Sequence, residues 1–197
     1  MDNSSFNSST RSLFYSKTAH VLIMVGLASL LSACAFTEVP TSLRPGQGNQ
    51  YDQLELRGEG YQQFKCVKDN QGYYWQYLKT EALLYPQSSF VITINNPEDA
   101  VARMSATTAS SQTFTHKDGS KVRSTRVLKH IAAPTNGNIQ WMRMAAQSGK
   151  KGTNAFDSIR YILRVNTYGG MPFVPCDNSH LGELHDPTFS ATYIFWK

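Results

Sequence analysis

The sequence predicts a mainly β protein, a single antiparallel barrel or sandwich with at most one or two short helices. Three observations carry this. Ile159, Tyr161, Leu163 and Val165 alternate with Ser158, Arg160, Ile162 and Arg164, the period of two of a pleated strand. The closing stretch FSATYIFW, residues 189–196, sets Phe189, Ala191, Tyr193 and Phe195 on one face. Asp118-Gly119 stands between two strand-like runs, residues 112–116 and 120–127, as hairpin chemistry requires. No long amphipathic helix and no repeat of fixed period competes with this pattern.

In chain order, residues 61–68 and 73–78 are two aromatic-rich strands around an Asp69-Asn70-Gln71-Gly72 turn, a second hairpin. Residues 88–95, SSFVITIN, read as a strand. Asn96-Pro97-Glu98-Asp99 is helix-start chemistry, with an Asn cap, Pro at the first position and acids behind it, and residues 100–104 supply one or two turns. Residues 139–146, IQWMRMAA, suit a strand or a short helix, and strand is preferred. Polar turns at 134–138 and 149–152, and Gly169-Gly170 after the alternating strand, punctuate the rest.

The amino terminus carries a targeting pattern. Arg11, Lys17 and His20 precede eleven consecutive apolar or small residues, 21–31, and Leu31-Ser32-Ala33-Cys34 closes the run. The run is too short for a membrane-spanning helix, which needs about 20 residues. Leu-Ser-Ala-Cys resembles the lipobox of bacterial lipoproteins, which implies diacylglycerol on the Cys34 sulfur and cleavage just before it. An ordinary secretory signal with a coincidental cysteine is the main alternative. With Ala35 rather than Asp after the cysteine, the resemblance implies outer-membrane sorting. The expected layout is a signal at 1–33, a lipidated Cys34 and flexible tether to residue 50, and a β-rich domain at 51–197. The tether rests on two prolines, two glycines and no apolar periodicity between 35 and 50.

Removal of the signal leaves 197 − 33 = 164 residues, one ordinary domain plus a tether. The formal charge is +5, of which Asp2, Arg11 and Lys17 contribute +1, so the exported chain is mildly basic. Its cations are scattered, and the densest cluster, Lys117 to Lys129, is broken by Asp118, Gly119, Val122, Val127 and Leu128. A nucleic-acid partner would need a basic stripe and is not expected. With Cys34 assigned to lipid, Cys66 and Cys176 remain, 176 − 66 = 110 residues apart. In an oxidising compartment such a pair forms a disulfide. The alternative is two buried free thiols.

The densest polar cluster runs from Pro175 to Asp186. Asp177, His180, Glu183, His185 and Asp186 offer imidazole and carboxylate ligands suited to a divalent metal such as zinc. The five-residue histidine spacing fits no helical face, so a metal site would need loop geometry. The competing reading is a solvated loop, and no cofactor is predicted. Ser179, His180 and Asp186 could be drawn as a triad, but no nucleophile-elbow motif is present. Tyr73, Tyr74, Trp75 and Trp141 are candidate ligand-binding aromatics, with core packing the competing use.

An ordered set of residues carries a family resemblance. It comprises Gly60-Tyr61, Phe64-Lys65-Cys66, residues 116–122 and Ile139-Gln140-Trp141. It ends with Ile162, residues 166–170, Pro175-Cys176-Asp177 and residues 190–195. In this order they resemble the domain of unknown function 3455 family of secreted bacterial and fungal proteins, over roughly residues 58–196. The resemblance implies a Cys66–Cys176 pairing and no established activity. The family's His-x-x-Gly-Pro-x-Trp segment is replaced by residues 109–114, and its Ile-Pro-Trp by Ile139-Gln140-Trp141. A malate-dehydrogenase-like label on some fungal relatives finds no glycine-rich dinucleotide motif here.

The function expected is an envelope lipoprotein, anchored to the membrane through Cys34. Its β domain would bind a glycan, small molecule or protein without catalysis. The alternatives are a metal- or carboxylate-dependent hydrolase of envelope or extracellular polymers, worked by loop 176–186, and a structural spacer.

Overall fold

The computed structural model describes residues 39–46, 53–87, 96–149 and 152–197. The signal, Cys34 and the strand expected at 88–95 lie outside these residues. Nine strands follow in order: β1 Gln53–Asp69, β2 Gly72–Pro86, β3 Ala102–Thr108, β4 Ser111–His116, β5 Lys121–Ile131, β6 Trp141–Ser148, β7 Tyr161–Gly169, β8 Leu184–His185 and β9 Thr188–Trp196. Eight of them form a closed antiparallel barrel in the order β1-β2-β3-β4-β5-β6-β7-β9, which returns to β1. The two-residue β8 adds to β1 outside the closure, pairing Phe64 with His185 and Lys65 with Leu184. Closure leaves no long unpaired edge, which is how such a sheet is kept from pairing with other chains.

The first hairpin is longer than its aromatic stretch suggests. The β1–β2 register runs from Asp69↔Gly72 back to Leu56↔Pro86, with a bulge between Gln63 and Phe64. The helix start at Asn96 is corrected to a single 3₁₀ turn, Pro97–Asp99, with the Asn96 side chain accepting from the Glu98 N–H at 3.3 Å. No helical turns follow, because Ala102, Met104 and Ala106 are needed inside the barrel as alternate residues of β3.

An eight-stranded barrel is just wide enough for side chains to fill it. Here the filling includes Leu56, Leu84, Met104, Phe114, Met144, Phe156, Ile162, Phe189, Tyr193 and Phe195. One end is plugged from the β6–β7 loop by Phe156, which is fully buried and packs on Phe114 and Phe195, with ring centroids 6.4 and 4.6 Å apart. A second cluster lies outside the barrel wall, where Leu43 covers Trp141, Leu163, Val165, Ile194 and Trp196. Leu43 belongs to a segment expected to be tether, yet it is fully buried, and Arg143 donates from Nη1 to the Arg44 carbonyl. The apolar outer face of β6, β7 and β9 needs a cover, and residues 39–46 supply it.

That cover decides how β7 is buried. Both of its faces are buried, and the face that carries Arg164 points into the barrel while Tyr161, Leu163 and Val165 point out. In β9 the face that carries Phe189, Ala191, Tyr193 and Phe195 points into the barrel.

Candidate functional site

Two features stand out, one on the outer wall and one inside it. The outer one begins with the glycines of β1. A Cβ at Gly60 would lie 2.0 Å from the Glu81 carbonyl oxygen and 2.6 Å from the Ala82 Cα. Only glycine therefore permits β1 and β2 to approach this closely. Two grooves, each of about 500 Å³, meet on the outer face there and share Glu59, Gly60 and Tyr61. One continues across Glu81, Leu83, Arg103, Ser105, Thr113 and Thr115. The other runs to Tyr168, Thr188 and Ser190 over the β1–β9 ladder.

The groove's side chains hold one another. Tyr61 Oη donates to Glu81 Oε2 at 3.0 Å, and Lys79 Nζ reaches Glu81 Oε1 at 2.8 Å. The Lys79 hydrogen bond draws the Glu81 carboxyl below its ordinary range, and Glu81 in turn raises Lys79. These groups face water, so their pairing fixes orientation more than it adds stability. Tyr168, 76 % exposed, presents a bare ring at the far end.

The inner feature is a set of polar side chains in an otherwise apolar barrel. Gln62 Nε2 donates to Thr80 Oγ1 at 3.2 Å, Thr80 and the Tyr77 hydroxyl are 2.6 Å apart, and Tyr77 donates to the Ala106 carbonyl at 3.3 Å. Beyond this chain lie Arg164 and Tyr193. Arg164 donates from Nε and Nη2 to one acceptor, the Gln140 carbonyl, at 3.2 and 3.0 Å. Tyr193 is fully buried, and a Cβ at Gly58 would strike its ring at 2.6 Å, so glycine makes its room. Burial pushes the Tyr193 phenol up to about 12, against the opposing pull of the neighbouring Arg164 charge. The Tyr193 hydroxyl and the Arg164 guanidinium interact directly, each offsetting part of the cost of burying the other.

The family profile of "Protein of unknown function (DUF3455)" matches residues 47–197, which take in all nine strands. The chain belongs to this family. No curated protein and no solved structure matches it.

In this DUF3455 domain Cys66 and Cys176 form a disulfide, with Cα atoms 5.4 Å apart. It ties the loop between β7 and β9 to the first hairpin. Cys66 N donates to the Glu183 carbonyl, Gly182 N to the Cys66 carbonyl, and Trp75 Nε1 to the Val174 carbonyl. The loop's candidate ligands do not converge. His185 stands edge-on between Trp75 and Phe173, Asp186 accepts from Gln63 Nε2, and Glu183 binds β1 through its backbone. Among the described residues no three His, Cys, Asp or Glu side chains are grouped as a metal site.

Asp177 and His180 do meet, at 2.8 Å, with Ser179 Oγ 2.6 Å from the same carboxylate oxygen. The Ser179 hydroxyl, with the His180 ring, draws the Asp177 carboxyl down to about 2. Ser179 and Asp177 both address His180 Nδ1. A nucleophilic triad needs the serine and the acid on opposite ring nitrogens, so this cluster caps a turn. The candidate aromatics are likewise divided. Tyr73 donates to Asn178 Oδ1, Tyr74 is exposed, Trp75 braces the loop, and Trp141 is buried in the outer cluster with its indole N–H unbonded. The groove residues Tyr61, Glu81, Arg103 and Tyr168 carry no sequence signal beyond the glycines of Arg57-Gly58-Glu59-Gly60-Tyr61.

Proposed function

We propose that the chain is an envelope lipoprotein, anchored through Cys34, whose barrel binds an extended glycan in the groove centred on Gly60. The pair of grooves meeting at Glu59, Gly60 and Tyr61 is the observation that carries this reading. Each groove falls within the size range of small-ligand sites. Their walls combine what sugars require. Tyr61 and Tyr168 supply flat rings, Ser105, Thr113, Thr115, Thr188 and Ser190 supply hydroxyls, and Glu59, Glu81 and Arg103 supply charged hydrogen-bonding groups. The domain acts as a binding module in this account, with the lipid holding it at the membrane surface.

A trimer of N-acetylglucosamine, titrated calorimetrically into the full chain in neutral detergent, tests the groove. Binding is expected for the wild type and at least tenfold weaker binding for Tyr61→Ala and Tyr168→Ala. Equal affinity in all three proteins would refute the site, and release of shorter sugars would favour a hydrolase. The anchor has a separate test. Mass spectrometry of the membrane fraction should find a lipid-modified amino terminus that Cys34→Ser abolishes, and an unmodified, soluble wild type would refute it.

A further inference from the structure

The closed order of the barrel sorts its surface charges. Every Asp and Glu within a described strand, Glu55, Glu59, Asp69 and Glu81, belongs to β1 or β2. β3 to β7 and β9 carry none. Along the ladder β5 stands four strands from β1 in either direction, so the two form opposite walls. β5 carries Lys121, Arg123, Arg126 and Lys129, all exposed. In sequence this run is broken by Val122 and Val127, but both pack against the barrel core and leave the outer face to the cations. The bulges after Ser124 and Val127 keep that face in register. Arg123, Arg126 and Lys129 therefore stand opposite Gln147, Ala145 and Arg143, alternate residues on the outer face of β6.

These cations lack local counter-charge. Arg57 pairs with Glu59 at 3.3 Å, and Lys79 pairs with Glu81 at 2.8 Å. Among the described residues none of the four β5 cations meets a carboxylate. Asp118, on the turn before β5, is engaged by Ser120, Ala155 and His116. The covering segment lies on the same side, with Thr41–Leu43 beside β5 and Val39 packed on the outer cluster. From Cys34 to Val39 is 39 − 34 = 5 residues, which span at most about 18 Å fully extended. The cover therefore ties this side of the barrel close to any lipid on Cys34.

We propose that the outer face of β5 docks on an anionic phospholipid surface through Lys121, Arg123, Arg126 and Lys129. A cation close to such a surface strengthens binding by about fivefold, and an unpaired cation gives up no partner to do so. Docking this wall turns β1, with its carboxylates and the groove at Gly60, away from the membrane and toward a ligand. The tether limit rests on the anchor proposed above, whereas the charge distribution does not.

Vesicle sedimentation of the full-length Cys34→Ser protein tests the wall, since this protein carries no lipid whether or not the wild type does. Its partition onto phosphatidylcholine vesicles should rise when about a third of the lipid is phosphatidylglycerol, and high salt should erase the rise. Adding Arg123→Gln/Lys129→Gln should weaken binding to the anionic vesicles by about tenfold or more. Adding Lys65→Gln/Lys68→Gln, an equal loss of charge on β1, should leave it within about twofold. All three proteins share one amino terminus, so its own attraction to lipid cancels between them. The proposal is overturned if the β5 variant partitions like its parent, or if the two variants weaken binding equally. A parent that leaves the vesicles for soluble polygalacturonate of equal charge would assign the wall to an acidic glycan and overturn it as well.

Discussion

The Asp118 carboxylate, on the turn between β4 and β5, accepts the backbone N–H of Ala155 at 2.9 Å across 37 residues of chain. Its other oxygen accepts from Ser120 Oγ and Ser120 N, and Ser120 Oγ in turn accepts from Phe156 N at 3.0 Å. Two loops at one end of the barrel are thereby locked together, and Phe156 is held in the opening. Burial alone would raise the Asp118 carboxyl. The hydrogen bonds from Ser120 Oγ, Ala155 N, Ser120 N and His116 together outweigh it and hold the group well below the ordinary carboxylate range.

A folded-state value below the unfolded one gives stability that is present above about pH 4 and lost as pH falls through the folded value. Urea midpoints of the wild type should therefore drop steeply between about pH 4 and pH 2. Asp118→Asn should cost about 1–2 kcal/mol at neutral pH and flatten that acid limb. Parallel curves for the two proteins would show that Asp118 does not set the acid response.

Phe156 carries the packing half of the same device. It is fully buried, with Phe114, Phe195 and His116 around it. Phe156→Ala should lower the unfolding free energy by about 3–5 kcal/mol, because the barrel wall cannot collapse into the space left. Chemical denaturation measures this directly. Phe156→Leu, which refills most of the volume, should recover more than half of the loss.

The disulfide acts at the opposite end. Cys66 and Cys176 close a loop with a sequence separation of 110. The chain-entropy account gives such a link about 4–5 kcal/mol, through restriction of the unfolded state. The Cys66→Ser/Cys176→Ser protein should fall by no more than that in urea titrations. Its barrel should persist by far-ultraviolet dichroism, since the pair lies outside the plugged end. The loop around Ser179 should become more exposed to protease, as the backbone bonds from Cys66 and Gly182 lose their tether.

What the sequence makes legible follows from which physical signal each element carries. In β9 the inner face is apolar throughout while the outer face mixes Ser190 and Thr192 with the covered Ile194 and Trp196, so alternation groups the core residues although both faces are largely buried. β7 is buried on both faces, and alternation cannot then say which side holds the core. Arg164, whose charge would suit the outside, lies inside the barrel. β3 is hidden because its inner residues are Ala102, Met104 and Ala106, too small or flexible to stand out, behind a convincing Asn-Pro helix start. With Cys34 set aside, parity leaves Cys66 and Cys176 as the pair to be joined, and they are bonded. The outer groove depends on how closely two strands approach, a three-dimensional quantity that Gly58 and Gly60 only hint at.

That close approach yields the last prediction. Gly60 and Gly72 stand in the same hairpin but answer to different constraints. Gly72 has φ of +119°, and an added methyl there would meet nothing within 4 Å, so alanine encounters backbone strain alone. Gly60 sits in regular strand, where alanine would drive a methyl into the Glu81 carbonyl and the Ala82 backbone. Neither can yield without parting β1 from β2. Gly60→Ala should therefore cost about 3 kcal/mol, against about 1–2 for Gly72→Ala. It should also disturb the amide resonances of Glu81 and Ala82 and weaken sugar binding, while Gly72→Ala leaves both unchanged. Equal costs, or a Gly60→Ala protein with undisturbed Glu81 and Ala82 amides, would mean that the strands are not pinned together at this point.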